Sequence, residues 1–80
     1  MNQCRYCSLR WAQDGSLSFL TYHNNTIGFE TITPDPLIDD NNPWITLRRW
    51  TAALGEQGWE LSGILRDEES QEWVFKQPIT

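Results

Sequence analysis

Scarcities in this 80-residue chain narrow its chemistry before any pattern does. It has one histidine, His23, and two cysteines, Cys4 and Cys7. Zinc takes about four nitrogen and sulfur ligands, and no second C-x-x-C supplies the remainder. Six Lys and Arg residues stand against eleven Asp and Glu, a net charge of −5. The six are scattered, with only Arg48 and Arg49 adjacent. A phosphate-backbone binder needs a basic stripe, so nucleic acid is not expected as a partner. The same balance disfavours anionic membrane surfaces. No run approaches the ~20 apolar residues of a membrane span. The opening "MNQCRYCSLRW" carries no apolar stretch of signal-peptide length, and a cytoplasmic location is expected. A phosphate-cradling glycine loop is also missing, since Gly55 and Gly58 precede a strand pattern, not a helix. No cofactor is expected.

Aromatic residues are plentiful: five Trp, three Phe and two Tyr. A chain this short is near the small end of what folds alone. Each buried aromatic removes roughly 150–250 Å² from water, so these ten are the natural core of one domain spanning residues 1–80.

Residues 5–12, "RYCSLRWA", alternate, with Cys7, Leu9 and Trp11 on one face and Tyr6, Ser8 and Arg10 on the other. Asp14-Gly15 predicts a type I′ hairpin turn. "SLSFLTY" is the return strand, "HNNT" at 23–26 a second turn, and "IGFETIT" at 27–33 a third strand, in which Gly28 marks a bulge or a close backbone approach. Residues 34–43, "PDPLIDDNNP", read as a loop that ends in a helix start: Asn42 as N-cap and Pro43 at the first helical position. Asp39 and Asp40 stand near the positive end of the coming dipole.

The helix covers 43–57, with Trp44, Leu47, Trp50, Thr51 and Leu54 as its apolar stripe. Ile45 falls outside it, either packed under Leu37 or Ile38 or exposed. In "LGEQGWELSG", Gly58 follows the last helical turn, where a left-handed glycine closes a helix, and Trp59 opens the next strand. Gly55 lies beside the stripe, where a missing side chain could bring helix and sheet together. Trp59, Leu61, Gly63 and Leu65 alternate with Glu60, Ser62, Ile64 and Arg66; residues 66–71 turn; and "EWVFKQP" at 72–78 is the last strand. The expected fold is α+β: an antiparallel sheet of about five strands, βββ-α-ββ, with one helix on one face. Trp11, Phe19, Phe29, Trp59, Leu61, Trp73 and Phe75 are expected under the helix. Tyr6, Leu20, Tyr22, Ile32, Ile64 and Val74, with Ser8 and Arg10, are expected on the opposite face.

Three constellations could carry chemistry. Cys4-x-x-Cys7 sits on a strand, where three-residue spacing sends the thiols to opposite faces; a redox pair should open a helix instead. Cys7 with His23 would be a nucleophile pair only if an orienting third group were present. Asp35, Asp39, Asp40, Asn41 and Asn42 lack the spacing, central glycine and closing glutamate of a calcium loop. Two ordinary thiols, a polar turn histidine and a helix-capping acidic loop are the plainer readings, and no catalytic or metal residue is assigned.

"LRRWTAALGEQGWELSGIL" followed by "EWVFKQP" resembles a family of small bacterial domains catalogued as domain of unknown function 4177. Their hallmark is a helix ending in L-G-x-x-G-W-E-L-V and a hairpin closing on Y-V-F-K-R-P. The match runs through Leu54, Gly55, Gly58, Trp59, Glu60 and Leu61, then Val74, Phe75, Lys76 and Pro78, and covers roughly residues 47–78. Gln77 stands where the family more often has arginine and Ser62 where it often has valine; "CRYCSLRW" matches its aromatic opening strand only loosely. The resemblance implies a compact sheet with one helix and no activity. The resemblance assigns no function; the function expected from the residues is a non-catalytic protein-interaction or regulatory module, self-associating or pairing with another protein. The alternative is a small-molecule-binding or catalytic domain with its pocket near loop 34–42 and the tryptophans.

Overall fold

The computed structural model of the chain describes residues 3–23 and 26–79, and the side chains of all of these except 3, 23 and 79. Among the described residues, five antiparallel strands form one sheet, and one helix crosses a face of it, the α+β arrangement the periodicities predict. The elements are β1 (Gln3–Ala12), β2 (Leu17–His23), β3 (Thr26–Ile32), α1 (Pro43–Glu56), β4 (Glu60–Arg66) and β5 (Ser70–Ile79). The strand order is β3-β2-β1-β5-β4, which places β1 at the centre and β3 and β4 at the two edges.

The helix begins and ends as its flanking residues dictate. Asn42 Oδ1 accepts from the Trp44 amide at 3.0 Å, and Pro43 fills the first helical position, where no N–H is missed. At the other end the Trp59 amide donates to Leu54 O and the Gly58 amide to Gly55 O, both at 3.0 Å. This is a Schellman closure, and Gly58 takes the left-handed conformation it requires, with φ +89°. Trp59 then packs against the buried cluster. Gly55 has a different role from the one expected: a Cβ there would meet open space, so the helix makes no close approach through it.

The core forms where α1 lies over the middle of the sheet. Cys7, Leu9, Leu17, Ile32, Leu47, Leu54 and Phe75 are buried, with Trp11, Phe19, Trp50, Trp59 and Trp73 packed around them. Each buried leucine contributes about 1.5–3 kcal/mol. The inner face of α1 is rotated from the expected stripe, for Thr46 is buried whereas Trp44 and Thr51 are exposed. Thr46 Oγ1 donates to Asn42 O at 3.2 Å, so the buried hydroxyl is satisfied.

Local geometry overturns several expectations. The β1–β2 turn is not type I′: the Gly15 amide donates to Ala12 O and the Ala12 amide to Ser16 O, both at 2.9 Å, and Gly15 alone is left-handed there. It is a three-residue turn with glycine in the left-handed position.

The β2–β3 connection is two residues long, so His23 faces Thr26, and every odd position of β2 faces an even one of β3. Leu17 therefore pairs with Ile32 and Phe19 with Glu30. Ile32, expected on the open face, is 6% exposed within the core, and Phe29, expected in the core, is 65% exposed on the open face. The register of β3 is unbroken, so Gly28 marks no bulge. It instead accommodates Thr21, whose hydroxyl a Cβ would strike.

A bulge in β4 reverses a second alternation. Leu61 pairs with Phe75 but Gly63 with Val74, which leaves Ser62 as the extra residue. Ile64 consequently falls opposite Trp73, on the helix side, and not on the open face where alternation alone puts it. All seven β4 residues are exposed because the helix does not reach this edge; Leu61, expected in the core, is among them.

Candidate functional site

The face of the sheet away from α1 has no covering element among the described residues. Paired positions form rows across it. One row runs Ile27, Tyr22, Tyr6, Lys76, Glu60, and the next runs Phe29, Leu20, Ser8, Val74, Gly63. The third holds Thr31, Ser18, Arg10, Glu72 and Leu65. Charges fall toward β1, β5 and β4, where Arg10 faces Glu72 and Lys76 faces Glu60. These four cancel, so the face is neutral in a chain of net charge −5. The β3–β2 part is uncharged; it is apolar in the first two rows, with Ile27 61% exposed beside Phe29, and polar in the third, at Thr31 and Ser18. Leu37 and Ile38 do not fold over this face, for Leu37 is 94% exposed.

Of the six residues expected to form an interface, the sheet gathers Tyr6, Leu20, Tyr22 and Val74 on this face, while Ile32 and Ile64 lie on the other. Ile27, Phe29 and Leu65 take part instead; the two-residue length of the β2–β3 connection was the available signal for the first two. Tyr22 is also a structural link. Its hydroxyl donates to Glu72 Oε2 at 3.0 Å and lies 3.2 Å from Ser8 Oγ, which spans from β2 over β1 to β5. Burial, and then the Glu72 carboxylate, hold the Tyr22 phenol above its ordinary pKa. The other four singled-out residues, Asn42, Pro43, Gly58 and Trp59, serve the helix ends.

Clefts among the described residues lie on the helix side of the sheet. One, of about 530 Å³, is bounded by Trp11, Trp44 and the 66–71 turn. The Trp11 and Trp44 ring centroids are 4.3 Å apart at an interplanar angle of 80°. Loop 34–42, expected to wall a pocket beside the tryptophans, contributes nothing to this one. Asp67 is committed to its turn, accepting from the amides of Glu69 and Ser70 at 2.7 Å, and these bonds hold its carboxyl below the usual range. The second cleft, about 390 Å³, runs along the flank of α1 between Trp44, Leu47, Arg48, Thr51 and Ala52 and the Trp73 ring on β5.

The acidic loop is built around Asp39, a buried carboxylate that sequence reasoning placed only near the helix dipole. Arg49 Nε donates to its Oδ1 at 2.9 Å and Nη2 to its Oδ2 at 2.8 Å, while the Asp35 amide donates at 2.8 Å. The guanidinium first, and then the amide, hold the Asp39 carboxyl far below the ordinary value. Every oxygen bond serves the loop and helix, so this is a brace and not a cation site.

Cys4 and Cys7 fall on opposite faces, opposite Pro78 and Phe75 respectively. Cys7 is buried, and desolvation pushes its thiol up to about 11, the reverse of what an activated nucleophile requires. The side chain of His23, and with it the geometry of a Cys7–His23 pair, lies outside the described residues. No group of three metal-ligating side chains occurs among the described residues, and no helix there is long and apolar enough to cross a membrane. Comparison with family models, curated proteins and solved structures finds no match to the chain.

Proposed function

We propose that this chain is a non-catalytic interaction module that associates with a second copy of itself through the open face of its sheet. One observation carries the reading: the β3–β2–β1 part of that face presents Ile27, Phe29, Leu20, Tyr22 and Tyr6 as contiguous neighbours without a charge among them. A wet face of an antiparallel sheet normally alternates to polar residues, and a contiguous exposed apolar patch commonly marks an interface. Five strands of about seven residues project to roughly 550 Å². Side-chain relief raises that toward the ~800 Å² per partner of a standard interface. A two-fold dimer is the commonest arrangement.

The resemblance to the domain of unknown function 4177 family supports the fold and is silent on activity. We place the protein in the cytoplasm, where two thiols that cannot bridge each other stay reduced. Dilution monitored by nuclear magnetic resonance tests the reading. Amides of residues 6, 20, 22, 27 and 29 should shift together as the dimer dissociates, whereas concentration-independent spectra would refute self-association.

A further inference from the structure

On the other side of the sheet, we propose that the cleft along α1 is a binding site for a small amphipathic carboxylate, with an apolar body and one anionic end. Trp44, Arg48, Thr51 and Ala52 recur at spacings of three and four, so they form one flank of the helix. That flank faces Trp73 of β5 across the cleft. Trp44 and Ala52 are exposed on this flank, and Trp73 is half-buried. The cleft measures about 390 Å³, within the ~300–1,000 Å³ range of small-molecule sites, and its lining is apolar with one charged group.

That group selects the ligand. Arg48 is the sole ionisable residue among those lining the cleft and makes no ion pair within the described residues, whereas its neighbour Arg49 is engaged by Asp39. No carboxylate lines the cleft to compete with an incoming anion, although the chain as a whole is acidic. A guanidinium presents a fork of donors that fits a carboxylate, and the indole faces of Trp44 and Trp73 suit an alkyl or aryl body.

The test uses the intact protein with octanoate, 1-octanol and octyltrimethylammonium as probes, read by tryptophan fluorescence and by mapping shifted amides. Octanoate should bind saturably and shift residues 44, 48, 51, 52 and 73. Octanol should bind roughly tenfold more weakly, as loss of one charge-assisted contact predicts. Arg48→Gln should lower octanoate affinity to that of octanol and leave octanol unchanged. Ala52→Phe, which fills the cleft from an exposed helix position, should abolish both. Equal binding of octanoate and octanol, tighter binding of the cationic probe, or octanoate binding that survives Ala52→Phe would each overturn the proposal. So would protection of Trp44 by a second copy in the unliganded protein. Because the open face lies across the sheet, loss of either proposal leaves the other standing.

Discussion

Two glycines three residues apart, Gly55 and Gly58, should respond to alanine in opposite directions. Gly58 has φ +89° and closes the helix with two backbone hydrogen bonds, whose geometry depends on that conformation. An L-residue forced into left-handed backbone costs roughly 1–2 kcal/mol. The new Cβ would also lie 3.4 Å from Gln77 Nε2, an ordinary contact, so backbone conformation alone carries the loss. Gly55 lies in the last turn of α1 with open space where its Cβ would be. Alanine there gains helix propensity of up to ~1 kcal/mol and strikes nothing. The two variants should therefore differ by about 2–3 kcal/mol. At roughly 4–8 °C per kcal/mol for a domain of this size, Gly58→Ala should melt several degrees below wild type and Gly55→Ala slightly above it. Thermal melts followed by circular dichroism decide the matter. Equal losses, or a larger loss at Gly55, would refute the assignment of the helix end.

Acid should weaken the fold through Asp39, Asp14 and Asp67, whose carboxyls are all held below the ordinary value. A depressed folded-state pKa stabilises fully above the unfolded value near 4 and is lost as pH falls below it. Denaturant midpoints should thus drop below about pH 4, and Asp39→Asn should lower the midpoint at pH 7 while flattening that drop. A thiol reagent at pH 8 should modify Cys4 rapidly and Cys7 only on unfolding; equal rates would contradict the burial of Cys7. Cys4→Ser should leave the melting temperature nearly unchanged, whereas Cys7→Ser should cost about 1–3 kcal/mol by burying a hydroxyl.

The elements were legible in the sequence because each is specified locally. Asn42-Pro43 and Gly58 bracket α1, and period-two alternation marks the strands. Side-chain facing was less legible than the elements themselves. In β3 a two-residue connection exchanges the faces of Phe29 and Ile32, and in β4 one bulged residue, Ser62, carries Ile64 to the helix side. A shift of a single residue moves every later side chain to the other face, and the Ser62 bulge has no compelling local signature. The Asp39–Arg49 pair was also hidden, because the left-handed turn at Asp40 and Asn41 is what folds the loop back on α1. The two candidate surfaces, the open face and the cleft between α1 and Trp73, depend on where α1 sits on the sheet, which composition alone does not show.

Solution mass tests the central claim, self-association through the open face, most directly. Light scattering at micromolar concentration should give twice the chain mass for the wild type and a single-chain mass for Phe29→Glu, with the helical circular dichroism signal unchanged. Ile64→Glu, on the helix side of β4, should remain a dimer. A stable single-chain mass for the wild type, or dissociation by Ile64→Glu but not by Phe29→Glu, would contradict the account.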